Sequence, residues 1–192
     1  MILSNTAIID AIKANSFSIE NLAGEDPSKP PFNTSAVDFR LGSQISILKE
    51  GLPASFDLRK AGLAQFLANN SRCITLQEES PYALKPGKFI LGQTMEKVSF
   101  PLLDSDCCYS ARVEGESSLA RCGILVHFTA PTIHARFAGP ITLEIINLGP
   151  LDFLLYPGMY FCQLIIEQVS GRPTDAPNQF KGQTDPAGRI SA

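Results

Sequence analysis

Glu144 stands alone inside an apolar run, I-T-L-E-I-I-N at 141–147, and upstream the stretch V-E-G-E-S-S-L-A-R-C-G at 113–123 brings Ser117, Ser118 and Arg121 close together. A lone carboxylate on a strand can take a proton from water and later return it. A guanidinium cannot serve as an acid at neutral pH, so Arg121 would orient and stabilise charge. Paired hydroxyls with neighbouring backbone N–H groups suit a phosphate or a held water. Together these are the parts of a general-base hydrolysis with polar groups around a tetrahedral intermediate. Glu116 cuts against this, because a carboxylate is the last group an anion site wants. A working nucleotide site, a modified one and an ordinary turn all remain open. Plainer roles stand beside each residue: Glu144 on the solvent face of an edge strand, Arg121 in a surface salt bridge, Ser-Ser in a turn.

Strand alternation puts Glu144 on one face with Thr142 and Ile146. The elements that must hold it are mostly short strands. From Cys73 onward, C-I-T-L-Q, K-F-I-L-G-Q-T-M, I-L-V-H-F-T-A, I-T-L-E-I-I-N, F-L-L-Y and M-Y-F-C-Q-L-I-I-E-Q-V are separated by turn signals such as Pro86-Gly87, Gly139-Pro140, Gly149-Pro150 and Pro157-Gly158. That spacing predicts a β-sandwich or barrel-like body. Before it, L-S-N-T-A-I-I-D-A-I-K-A-N-S-F predicts a short helix capped by Ser4 with Ile8, Ile9 and Ile12 as its apolar face. A-V-D-F-R-L-G-S-Q-I-S-I-L-K predicts alternating strands around Gly42. D-L-R-K-A-G-L-A-Q-F-L-A-N-N at 57–70 predicts a second helix with Leu58, Leu63, Phe66 and Leu67 as its apolar side. Residues 171–192 are polar and rich in Pro and Gly, either a disordered tail or an arm that orders over a ligand. The division is thus a β domain over 1–170 and a C-terminal arm over 171–192.

The 192 residues, 44% of them hydrophobic, suffice for one good core. A net charge of −3 argues against general affinity for nucleic acid. No apolar run is long enough to span a membrane, and the N-terminus lacks the marks of a signal peptide, so a cytoplasmic protein is expected. The five cysteines (Cys73, Cys107, Cys108, Cys122, Cys162) are odd in number and form no C-x-x-C, which favours free thiols over disulfides. His127 and His134 are not spaced with them as zinc ligands, and the H-x-E…P-C-x-x-C pattern of zinc deaminases is missing. No protein-bound metal is expected.

The order of segments resembles the dCTP deaminase family of the trimeric dUTPase-like superfamily. The resemblance lies in A-V-D-F-R-L-G at 36–42, L-K-P-G-K-F-I-L-G-Q-T-M-E-K-V-S-F-P at 84–101, G-E-S-S-L-A-R-C-G-I-L-V-H-F-T-A at 115–130, A-G-P-I-T-L-E-I-I-N-L-G-P at 138–150, L-L-Y-P-G-M-Y-F-C-Q-L-I-I-E at 154–167 and Q-F-K-G-Q at 179–183. It covers nearly the whole chain, with an insertion-like difference around 50–72.

The resemblance implies a mainly β, distorted β-barrel or jelly-roll-like dUTPase-like fold with a few short helices. It implies a homotrimer with active sites between subunits. The implied reaction is zinc-independent hydrolytic deamination of dCTP, or a related cytosine nucleotide, to dUTP and ammonia. Mg²⁺ would come bound to the nucleotide phosphates. Glu144 matches the family's base, and Arg121 and Ser117 its water-positioning residues. Ser118 would contact phosphate, the backbone of Phe128, Thr129 and Ala130 would read the base, and Phe137 would pack on the sugar. His127 holds a structural or regulatory position. Lys181, Gln183 and Arg136 could supply cationic or polar contacts to phosphate.

Three positions depart from the pattern. Glu116 stands where the family has Arg, His134 where the superfamily has an Asp for the 3′-hydroxyl, and Gln179 where a tail Lys meets phosphate. At about 4 Å and an effective dielectric near 20, replacing attraction by repulsion exchanges terms of roughly 4 kcal/mol each. These positions concern sugar and phosphate, whereas Ser117, Arg121 and Glu144 are kept, so the chemistry is expected to survive with an altered handle. The alternatives are a dUTP diphosphatase-like enzyme and a catalytically divergent nucleotide-binding regulatory trimer.

Overall fold

Ser4 opens the first element as its type dictates: its Oγ accepts the Ala7 N–H at 3.3 Å at the head of α1 (Asn5–Lys13), which buries Ile8, Ile9 and Ala11. The computed structural model describes residues 1–52, 55–57, 59, 62–103, 107–174 and 186. After α1 come β1 (Ser18–Glu20), β2 (Phe32–Asn33), the long β3 (Ala36–Leu48) and α2 (Leu63–Asn70). β4 (Ser71–Thr75), β5 (Tyr82–Leu84), β6 (Phe89–Ser99) and β7 (Cys107–Gly115) lead to a one-turn α3 (Ser117–Arg121). The chain closes with β8 (Ile124–Val126), β9 (Thr132–Ile133), β10 (Ala138–Asn147), β11 (Phe153–Leu155) and β12 (Tyr160–Ser170).

The fold is mainly β with a few short helices, as expected. One antiparallel sheet runs in the order β8-β10-β6-β3-β12-β7-β9, with β1, β2 and β4 attached at its sides, and β11 pairs with β5. β3 makes the curvature. Its first half pairs with β12 through Val37–Arg40 and its second half with β6 and β4 through Leu41–Leu48. The register with β6 shifts between Leu41 and Ile45, the kind of bulge that bends a strand. Gly42 lies in that bulge, where a Cβ would stand 3.0 Å from the Gln93 carbonyl oxygen. Phe39, Leu41, Ile45, Leu143, Ile145 and Phe161, none of them exposed, fill the concave side.

Two structural corrections concern boundaries. The second helix begins at Leu63, after Gly62 in a left-handed conformation, rather than at residue 57; Leu58 lies outside the described residues. The strand expected over 124–130 ends at Val126, because His127 takes φ 53°, which no strand residue adopts. The serine-arginine loop is in part a helical turn, α3. The sheet ends at Ser170; of the expected arm only 171–174 and 186 are described.

Candidate active site

Along β10 the buried residues Ile141, Leu143, Ile145 and Asn147 alternate with half-buried Thr142, Glu144 and Ile146, so Glu144 leaves the core face as the period of two requires. Its strand is held on both sides, by β6 through Glu144↔Leu91 and by β8 through Ile145↔Val126. Glu144 is therefore not on an edge strand.

One residue beyond β8, the His127 N–H donates to the Glu144 carbonyl oxygen at 2.8 Å. The His127 Nδ1 lies 2.8 Å from Glu144 Oε2, with the imidazole nearly buried and the carboxylate side chain 32% exposed. That contact has ion-pair distance without hydrogen-bond alignment, and among the described residues neither atom has a hydrogen-bond partner. Two other acids of the sheet are used differently. Glu96, fully buried on β6, accepts from Arg40 Nε at 2.7 Å and from the Arg40 backbone N–H at 2.8 Å. Glu167 on β12 accepts from Arg112 Nε at 3.0 Å. These carboxylates are held by arginines in fixed geometry, while Glu144 Oε2, buried against His127, has no hydrogen-bond partner among the described residues.

Ser117 and Ser118 begin α3 and Arg121 ends it, all three exposed. Their position is set by a tight backbone contact behind the turn. Gly123, at φ 92°, accepts the Leu148 N–H at 2.8 Å, and a Cβ on Gly149 would overlap the Cys122 carbonyl oxygen. Asn147 fixes that corner, accepting from the Gly149 N–H at 2.9 Å and donating to the Leu84 and Leu151 carbonyl oxygens at 2.8 Å each. α3 is thus pinned to the end of the strand that carries Glu144. Within one chain, among the described residues, no hydrogen bond or ion pair joins Ser117 or Arg121 to Glu144.

An open cleft of about 460 Å³ runs between β7, α3 and β8, with Gly115, Ala120, His127 and Phe128 in its walls, a volume in the range of small-molecule sites. Glu144 is not one of its walls and touches it only through His127. Phe128, Thr129 and Ala130 are exposed beyond β8. Phe137 is partly buried against the core, and its carbonyl accepts the Phe100 N–H at 2.9 Å. His134 and Arg136 are exposed. Glu116 accepts from Ser118 Oγ at 3.2 Å and pushes the Asp38 carboxyl upward electrostatically. Lys181, Gln183 and Gln179 lie outside the described residues. The His127–Glu144 contact was not visible in the sequence; only the β8–β10 pairing reveals it.

The model of the dCTP deaminase-like family matches residues 2–169. A protein of Methanosphaera stadtmanae named "dCTP deaminase, dUMP-forming" is 34% identical, over 96% of this chain and 91% of that one. One of the same name from Dictyoglomus thermophilum is 36% identical, over 92% and 84%. A "dCTP deaminase" of Thermomicrobium roseum is 32% identical, over 97% and 91%. Among solved structures, the 2'-deoxycytidine 5'-triphosphate deaminase of Agrobacterium tumefaciens superposes with a TM-score of 0.63 at 22% identity, covering 88% of this chain and 48% of that one. This chain spans about half of that structure's chain, and the likeness bears on fold.

Proposed function

Because the chain belongs to the dCTP deaminase family, we propose that it hydrolyses the 4-amino group of dCTP, or a related cytosine nucleotide, releasing ammonia. The observation that carries this is Glu144: a half-buried carboxylate on a core strand, with one oxygen not committed to any structural hydrogen bond and a buried imidazole against it. In the proposed reaction Glu144 takes a proton from water as its oxygen bonds to C4 of the ring. The C4–N3 π pair moves onto N3, which takes the proton that Glu144 removed from water. Glu144 then takes the proton of the new C4 hydroxyl and passes it to the departing amine as the C4–N bond breaks, leaving a C4 carbonyl and ammonia. Arg121 and Ser117 would hold the water and stabilise developing charge, and Ser118, the backbone of 128–130, Phe137, Lys181 and Gln183 would bind the nucleotide.

No transition metal is needed for these steps, since the base is a side chain. Among the described residues no group of three His, Cys, Asp or Glu side chains could hold a metal ion; Mg²⁺ enters the proposal as the companion of the triphosphate, and no step is assigned to it. Leu125 on β8, Phe128 just beyond it and Leu154 on β11 are exposed by 36%, 47% and 51%, which supports packing of this surface in a homotrimer whose active sites lie between subunits. Among the described residues no helix is long and apolar enough to cross a membrane.

Two products are in play. Relatives named "dUMP-forming" favour continued cleavage to dUMP. His134, in place of the Asp that the family resemblance assigns to the 3′-hydroxyl, favours release of dUTP. Chromatography of dCTP reactions separates these outcomes: dUTP with ammonia supports the simple deaminase, and dUMP with pyrophosphate shows that the second hydrolysis persists. Pyrophosphate from dUTP without ammonia from dCTP would favour the diphosphatase, and turnover of neither a binding trimer.

A further inference from the structure

In the β10–β6 register Thr142 faces Gln93 and Glu144 faces Leu91. Gln93 and Glu144 are therefore diagonal neighbours on one face of the sheet, a separation that long side chains can bridge. Gln93 is only 8% exposed, although its type belongs on surfaces. Its Nε2 has no hydrogen-bond partner among the described residues, and the other buried side-chain atoms in that condition belong to His127 and Glu144. The residues that carry these unpartnered atoms are neighbours on the sheet: His127 touches Glu144, and Gln93 is the diagonal neighbour of Glu144. A buried amide N–H without a partner is costly, and its retention beside Glu144 points to a ligand there. Both flanking pairings are irregular at this level: β10 shifts register between Pro140 and Thr142, and β3 between Leu41 and Ile45. Such bulges re-aim side chains next to sites.

We propose that Gln93 is a further catalytic residue of the deamination, whose carboxamide N–H donates to the oxygen of the attacking water. As that oxygen loses a proton to Glu144 and bonds to C4, the same N–H stays on it as the hydroxyl of the tetrahedral intermediate. Gln93 itself exchanges no proton. This assignment rests on the deaminase function proposed above.

The test compares wild type, Gln93→Leu and the unbranched Gln93→Met by ammonia release from dCTP, thermal unfolding and sedimentation. In both variants kcat falls about tenfold while KM stays within about twofold, the signature of an interaction made in the transition state. Tm is unchanged or higher by about 2–4 °C, because an apolar group replaces an unpaired donor, and the state of assembly is unchanged. Wild-type kcat in both variants, a change in KM alone, or activity lost together with a lower Tm or altered assembly overturns the assignment. An active wild type beside unchanged variants overturns Gln93 alone; a wild type that releases no ammonia overturns the deaminase reading and Gln93 with it.

Discussion

His127 Nδ1 stands 2.8 Å from Glu144 Oε2, and the same histidine's N–H is bonded to the same glutamate's carbonyl oxygen. The imidazole is buried against the carboxylate, and His127 holds φ 53° there. Backbone of this kind persists only when surroundings over-determine it. In the proposed reaction His127 would act through Glu144 as a positioning residue. His127→Leu is expected to lower kcat for ammonia release by about tenfold to a hundredfold, with KM changed much less. His127→Gln, which keeps a donor, restores part of the loss. Steady-state kinetics of the two variants check this.

Glu116 is the residue proposed to alter the nucleotide handle. It accepts from Ser118 at the start of α3 and repels Asp38, so it adds negative charge where triphosphate is proposed to bind. Glu116→Arg is expected to lower KM for dCTP roughly tenfold at low salt, with the gain shrinking as salt screens it. Its effect on deoxycytidine, which carries no phosphate, is expected to be small. KM values for the two substrates at low and high salt measure it.

Asp38 gives a pH-dependent stability. Burial raises its carboxyl, the Gln163 and Asn33 side chains pull it back as donors at 2.9 and 2.6 Å, and Glu116 pushes it up again. A carboxyl that holds its proton more tightly when folded costs stability above its folded pKa. That cost disappears below the ordinary value of 3.8, where folded and unfolded chains are both protonated. Asp38→Asn, whose Oδ1 still accepts both bonds, is expected to be more stable than wild type at pH 7 by up to about 1 kcal/mol. The difference closes as pH falls through the carboxylate range. Urea unfolding at stepped pH tests it.

Much of this was legible in the sequence, and the gaps have physical causes. An acid inside I-T-L-E-I-I-N marked Glu144, because period-two alternation has to expel it from the core face. Ser4 announced its helix through its own capping chemistry. β7 escaped notice because its inward positions are filled by Cys108, Ala111 and Val113, too small to stand out among polar neighbours. His127 read as one more residue of an apolar strand, since nothing local signals a positive φ. Its contact with Glu144, like Gln93's place beside it, depends on cross-strand register, and register is set by pairings distant in the chain.

The central claim is that Glu144 is the base of a deamination, and ammonia release from dCTP by wild type and Glu144→Gln tests it most directly. Gln keeps the size and one acceptor but cannot take the proton, so wild type should turn over while the variant falls by at least about a hundredfold, with dCTP binding by calorimetry retained. Comparable ammonia release from the variant, or none from wild type, would contradict it.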